Sequence, residues 1–149
     1  MKSELRLWLR MLTCTNLIEA ELRRRLRENF NTTLPRFDLL AALDRAPEGL
    51  TLGEVSERMM VSNGNVTGLA ARLEAEGLVA RRTEPHDRRV VRLTLTEAGA
   101  ASFAEQSAVH AGWVTELFSG LPPHERDALH RLLGRTKSAV TDALEGEDA

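Results

Sequence analysis

Apolar residues recur at helical spacing over most of this chain and alternate at strand spacing in one short stretch. Leu5, Trp8, Leu9 and Leu12 lie three and four apart, and Leu22, Leu26 and Phe30 continue at intervals of four. That period predicts an amphipathic helix over residues 3–29, broken by Asn31-Thr32-Thr33-Leu34-Pro35. A shorter helix over residues 36–45 turns Phe37, Leu40, Ala41 and Leu43 inward, and Ala46-Pro47-Glu48-Gly49 ends it. Thr51 caps a third helix reaching about residue 60, with Leu52, Val55 and Met59 on one face. Ser62 caps a fourth, which runs to Glu76 and stops at Gly77. Residues 78–83 and 90–95 are rich in β-formers, with Val91, Leu93 and Leu95 alternating with Val90, Arg92 and Thr94. Pro85-His86-Asp87 makes the turn between these strands. Thr96 opens a long helix to about Gly120, carrying Phe103, Trp113, Val114, Leu117 and Phe118. Leu121-Pro122-Pro123 breaks it, and a last helix over residues 124–144 carries Leu129, Leu132, Leu133, Val140 and Leu144. Residues 146–149 are expected to fray.

Between Leu52 and Gly99 the order is therefore helix, turn, helix, hairpin. That order builds a winged helix-turn-helix, in which the second helix enters a DNA major groove and the hairpin lies beside it. The predicted fold is mainly α with a small antiparallel β-hairpin wing, as one domain over residues 1–149 with the module at about 34–99. The flanking helices, at about 3–30 and 97–145, are too long and too apolar on one face for so small a module to cover. Their spare faces predict a helical dimerisation region, and so a homodimer.

In the fourth helix Val66, Leu69, Ala70 and Leu73 fall on one face, while Gly64, Gly68 and Ala71 fall on the other. A glycine inside a helix costs roughly 1 kcal/mol relative to alanine, so two on an exposed face suggest a backbone that must lie close to a groove. Asn65 suits adenine, and Arg72 suits guanine or a phosphate. The candidate reading residues are Ser62, Asn63, Asn65, Thr67, Gly68 and Arg72, joined by Arg88 and Arg89 at the hairpin tip. Arginines at such a tip suit the negative potential of a minor groove. Asp87 supports the tip by pairing with Arg72 or with Arg89.

The charge distribution agrees, although the net charge is −2. Residues 62–92 hold six arginines against four acids, a local +2, and residues 124–149 hold four bases against six acids, a local −2. Hydrophobic content of 42% and charged content of 28% are ordinary for a globular domain. No apolar run approaches the roughly 18 residues that span a bilayer, and the N-terminal stretch lacks a secretory pattern. The single cysteine, Cys14, fits a reducing cytoplasm, where the protein is expected to reside. His86, His110, His124 and His130 are scattered, with no cysteine pair, glycine-rich phosphate loop or nucleophile elbow. Neither enzyme activity nor a metal or cofactor is expected.

Four motifs carry a resemblance. They are Asn63-Gly64-Asn65-Val66-Thr67-Gly68-Leu69, Arg72-Leu73-Glu74-Ala75-Glu76-Gly77-Leu78-Val79, Pro85-His86-Asp87-Arg88-Arg89 and Leu93-Thr94-Leu95-Thr96-Glu97-Ala98-Gly99. Together they resemble the MarR (multiple antibiotic resistance regulator) family over residues 34–99, and the flanking helices suit that family's length and order. The resemblance implies a triangular homodimer closed by the first and last two helices. It implies binding to a pseudo-palindromic operator, usually as a repressor. The family's recognition helix falls on residues 62–76, its wing on residues 84–90, its wing arginine on Arg89 and that arginine's partner on Asp87. Glycine at positions 64 and 68 departs from many members.

Members of this family mostly respond to small phenolic or carboxylate ligands, or to cysteine oxidation. The family pocket, between dimer helices and DNA module, would include Trp8, Met11, Thr15, Arg36, Phe37, Leu40, His110 and Trp113. An aromatic lining with a cation would suit an aromatic acid. Residues 14–18 and 33–38 are similar to members that control aromatic acid breakdown, some of which sense an aromatic acyl-CoA. Arg23-Arg24-Arg25-Leu26-Arg27 offers phosphate-binding charge for such a thioester, or a solvated basic face. Cys14 stands where peroxide-sensing members carry their thiol, but the chain has no tyrosine to partner it, and Cys14 is expected to be a buried apolar residue. The alternatives are a thiol-based redox regulator acting through Cys14 and a winged-helix module that binds protein, which would not need paired wing arginines.

Overall fold

The computed structural model describes residues 1–59 and 65–147. Helix α1, Ser3–Phe30, ends at Asn31, which takes left-handed geometry at φ 50°; the Asn31 N–H returns to the Arg27 carbonyl and the Thr32 N–H to the Leu26 carbonyl. Helix α2, Leu34–Asp44, starts two residues before the predicted boundary. Pro35 opens this helix rather than breaking the chain, because its missing N–H falls in a turn whose donors have no helical partner. Thr33 caps that turn by accepting a hydrogen bond from the Arg36 N–H at 3.3 Å.

Helix α3, Leu52–Arg58, begins with a capping box in which Thr51 and Glu54 each accept the other's backbone N–H. It stops at Arg58, short of the predicted residue 60, because Met59 turns to extended geometry. Helix α4, Val66–Ala75, is capped by Asn65. The expected cap Ser62, with Asn63 and Gly64, lies outside the described residues. Gly77 takes φ +77° after α4, as expected at that position. Strands β1, Val79–Thr83, and β2, Val91–Leu95, pair antiparallel, with Arg81 opposite Leu93 and Arg82 opposite Arg92. Leu50 adds one further rung, exchanging both backbone hydrogen bonds with Leu93.

Helix α5, Glu97–Leu117, is tied down by Thr96, whose hydroxyl accepts from the Gly99 N–H at 3.0 Å and donates to the Gly77 carbonyl at 2.6 Å. Helix α6, Pro123–Glu147, continues past the predicted end at Leu144. Among the described residues no helix is long and apolar enough to cross a membrane.

The chain divides into two compact units, Met1–Ala111 and Gly112–Ala149. The first holds the core: Leu22 and Leu26 of α1, Phe37, Leu39, Leu40, Ala42 and Leu43 of α2, Val55, Ala70, Leu73, Val79, Leu93 and Phe103. Leu39 and Ala42 join this core, while Ala41, expected inside, is half-buried. Helix α1 enters the core only with its last third, so Leu5, Trp8, Leu9 and Leu12 are exposed. In the second unit α6 has no buried residue among those described. The end of α5 and the first half of α6 border an open groove of about 620 Å3, lined mainly by Val114, Phe118, Leu121, Leu129 and Leu133.

Candidate nucleic-acid interface

The helix expected to read the groove is α4. Val66, Ala70 and Leu73 bury one face against the module, which leaves Thr67, Ala71 and Arg72 exposed on the rest of the helix. Asn65 is committed locally: its Oδ1 accepts the Gly68 N–H at 3.0 Å. That bond also explains Gly68. A Cβ there would lie 2.5–2.8 Å from the Asn65 amide group, so the residue is small to admit its own helix cap. The cap bond by itself gives a structural reason for a small residue at position 68, and Asn65 is engaged as the cap of α4. Arg72 reaches back to the Gly68 carbonyl through a long 3.4 Å contact and remains exposed.

The wing bends at Pro85–His86 and turns at Arg88–Arg89, two residues later than the pattern suggested. Asp87 holds it: its Oδ1 accepts the Arg89 N–H and Nε–H, both at 3.0 Å, and its Oδ2 accepts Nη2–H at 3.1 Å. Of the two partners weighed for Asp87, Arg89 is therefore the one it meets. The paired guanidinium holds the Asp87 carboxyl below its ordinary range. The Arg89 side chain stays 90% exposed, so the pair aims the guanidinium without covering it. Arg88 is exposed beside it.

Three arginines that the charge count placed in this module are used inside it. Arg81 pairs with Glu74 at 2.8 Å. Arg82 donates to the Glu48 carbonyl at 2.7 Å, and Arg92 meets Glu84 and Glu54 at 2.5 and 3.2 Å. These partners lie up to 38 residues away, so sequence spacing gave no sign of them. The Thr51-x-x-Glu54 pattern was the readable signal, since a threonine three residues before a glutamate marks a capping box.

The expected ligand residues are dispersed in the single chain. Leu40 and Phe37 belong to the core. Arg36 bridges α2 to the end of α4 through two bonds to Glu76, at 2.7 and 3.0 Å, and keeps the Glu76 carboxyl below its ordinary range. His110 is half-buried with its ring 4.5 Å from that of Phe37, which in turn lies 5.4 Å from Phe103, and burial lowers the His110 pKa. Trp8 and Thr15 are exposed and Met11 half-exposed; Trp113, half-buried, belongs to the second unit. Sequence reading passed over Gln106, buried between Phe103 and His110 along α5, whose Oε1 has no hydrogen-bond partner.

One expectation about α1 changes. Cys14 is exposed rather than buried. It stands about two and a half turns beyond Leu5, on the face opposite the apolar stripe. Arg23, Arg24 and Arg25 are paired along the helix with Glu19, Glu21 and Glu28, so their charge is largely spent within α1. The Arg24 and Arg25 guanidiniums hold the Glu21 carboxyl down at about 2.

Three helices, a two-stranded wing with a basic tip and long helical flanks define a winged helix-turn-helix protein. A family model for the MarR family matches residues 30–90. A MarR family transcriptional regulator of known structure from Silicibacter pomeroyi is 32% identical, with a TM-score of 0.77 over 91% of this chain and 94% of that one. The uncharacterized HTH-type transcriptional regulator YkoM of Bacillus subtilis is 35% identical over 105 residues, 70% of this chain and 66% of its own length. BpsR of Bordetella bronchiseptica, a protein whose DNA binding is regulated by 6-hydroxynicotinic acid, is 29% identical, with a TM-score of 0.71 over 86% of this chain and 91% of its own. This chain belongs to the MarR family of transcriptional regulators. It spans from 54% to 66% of the length of the leading curated relatives it matches.

Proposed function

We propose that the protein is a DNA-binding transcriptional regulator that works as a homodimer on a pseudo-palindromic operator. The observation that carries this reading is the wing tip, where Asp87 orients an Arg89 side chain that stays 90% exposed, with Arg88 beside it. Thr67, Gly68 and Arg72 on α4 would face the major groove, while Arg88 and Arg89 enter the minor groove. Exposed apolar stripes on α1 and α6 support the dimer, because single chains rarely leave so much ordered apolar surface to water.

Fluorescence anisotropy on a duplex from the upstream region of its own gene tests this. Wild type should bind selectively over a scrambled duplex, and Arg89→Ala should lose most of that affinity while keeping its fold. Selective binding that survives Arg89→Ala would sink the wing assignment.

The effector that fits best is a small aromatic acid whose binding releases the operator, so that the unliganded protein represses. Support comes from the Phe37, Phe103 and His110 ring cluster and from BpsR, which answers to 6-hydroxynicotinic acid. The pairing of Arg23, Arg24 and Arg25 with acids favours the free acid over its CoA thioester. Titration calorimetry with aromatic acids and their thioesters distinguishes them, and heat from the thioester alone would reverse the preference.

A further inference from the structure

Arg82 and Arg92 face each other across the hairpin, and two like charges directly opposite on one sheet face repel unless each has its own partner. Both have one. Arg82 donates to the Glu48 carbonyl, in the segment between α2 and α3. Arg92 donates through Nε to Glu84, just past the end of β1, and through Nη1 to Glu54. The same Glu54 Oε1 also accepts the Thr51 N–H that closes the capping box of α3. One guanidinium thus joins the loop end of the hairpin, where Glu84 leaves β1, to the first turn of α3. Neighbouring carboxylates make that join charge-assisted, and the planar fork fixes its direction. The Arg92 side chain is 30% exposed, Glu84 is 28% and Glu54 is 39% exposed, so the cluster is partly screened from water. The wing has only two strands and one extra rung at Leu50, and a two-stranded hairpin holds its own orientation poorly.

We infer that Arg92, assisted by Arg82, is a positioning residue that clamps the wing to α3 and so sets where Arg88 and Arg89 fall relative to α4. It is not itself a DNA contact. This rests on the proposed DNA-binding function for its consequence, but the clamp exists without DNA and is measurable without it.

The experiment combines amide hydrogen exchange on the free protein with operator binding across a salt series, for wild type, Arg92→Ala, Arg92→Lys and Glu84→Gln. Exchange at the Glu84 and Val90 amides, which close the wing loop by bonding the Val90 and Asp87 carbonyls, should quicken in all three variants. Lysine keeps the charge but cannot bridge both acids, so it should not rescue. Operator affinity should fall about tenfold in Arg92→Ala, a loss of about 1.4 kcal/mol, with the salt slope unchanged. A phosphate contact would instead lower the slope by about 0.9 per site and be largely kept by lysine. Glu84→Gln is the sharpest arm. Removing an anion near DNA should tighten binding if electrostatics alone matter, whereas losing the clamp weakens it. It also decides the matter if Arg92→Ala fails to fold. Unchanged wing exchange in these variants overturns the clamp, as does a reduced salt slope. If wild type binds no operator, the proposed function fails, while the exchange data still judge the clamp.

Discussion

In α4, Val66, Ala70 and Leu73 stand at helical spacing and are 7%, 0% and 0% exposed. In α6, Leu129, Leu132 and Leu133 stand at similar spacing and are 40%, 50% and 43% exposed. The two stripes look alike in sequence, and the first half of α1 repeats the second case with Trp8 at 54% and Leu9 at 42% exposed. Amphipathic spacing reports that a face wants cover. It does not report whether the cover comes from the same chain. For α4 the cover is the module itself. For α6 and the start of α1 the cover we propose is a second copy, since a stripe of this length in water is an unusual expense for a lone chain.

The sharpest contrast comes from trimming one leucine in each region. Leu73→Ala should lower stability by about 2–5 kcal/mol, since it empties a fully buried site. Leu132→Ala, measured at low protein concentration, should change it by less than about 0.5 kcal/mol. Equal losses, followed by chemical denaturation, would erase the distinction between the regions.

Gly99→Ala should cost about 1–3 kcal/mol or more, because a Cβ there would sit 1.9 Å from the Leu78 backbone oxygen. Gly134→Ala in α6, with nothing within 4 Å, should be neutral or slightly stabilising. Thermal melts of the two variants side by side check this.

If a second copy covers the exposed stripes, the unfolding midpoint rises with protein concentration as the apparent stability of a two-state dimer grows by about 1.4 kcal/mol per tenfold. Trp8→Glu or Leu133→Glu should remove that dependence and yield monomers in analytical ultracentrifugation. A wild type that sediments as a monomer at all concentrations would break the comparison outright.

The smallest effect concerns acid. Burial lowers the His110 pKa, so the unfolded chain binds that proton more readily than the folded one. Stability from this site is complete at pH well above the ordinary imidazole value of about 6.5 and declines as pH falls through it. His110→Gln should flatten that part of the stability curve. An unchanged slope between neutral pH and about pH 5 would count against it.

Most of the element order was legible because each segment carries its own signal. Helical spacing, the Thr51 and Thr96 caps, the left-handed Gly77 and the alternation in β2 are all local, and the structure bears them out within a few residues. Pro35 misled because a proline that ends one helix and a proline that opens the next look the same until the Thr33 cap is seen. The wing tip was legible too, since Asp87 and Arg89 are two residues apart. Asn65 and Gly68 also have each other, three residues apart, as a local reason, since Asn at a helix start is a cap signal.

What the sequence by itself determined is therefore the set of elements, the winged helix-turn-helix class and the basic wing tip, because propensity, capping and turn chemistry act over a few residues. Only the tertiary structure decided which arginines remain available. Arg81, Arg82 and Arg92 are spent on Glu74, the Glu48 carbonyl and the Glu84–Glu54 pair, while Arg72 and Arg88 stay exposed and Arg89 is aimed outward by Asp87. It also decided why position 99 is glycine, since the Leu78 oxygen occupies the space a side chain would need. The contacts of Arg82 with Glu48, Arg92 with Glu54 and Gly99 with Leu78 join residues remote in sequence, and no local pattern encodes them.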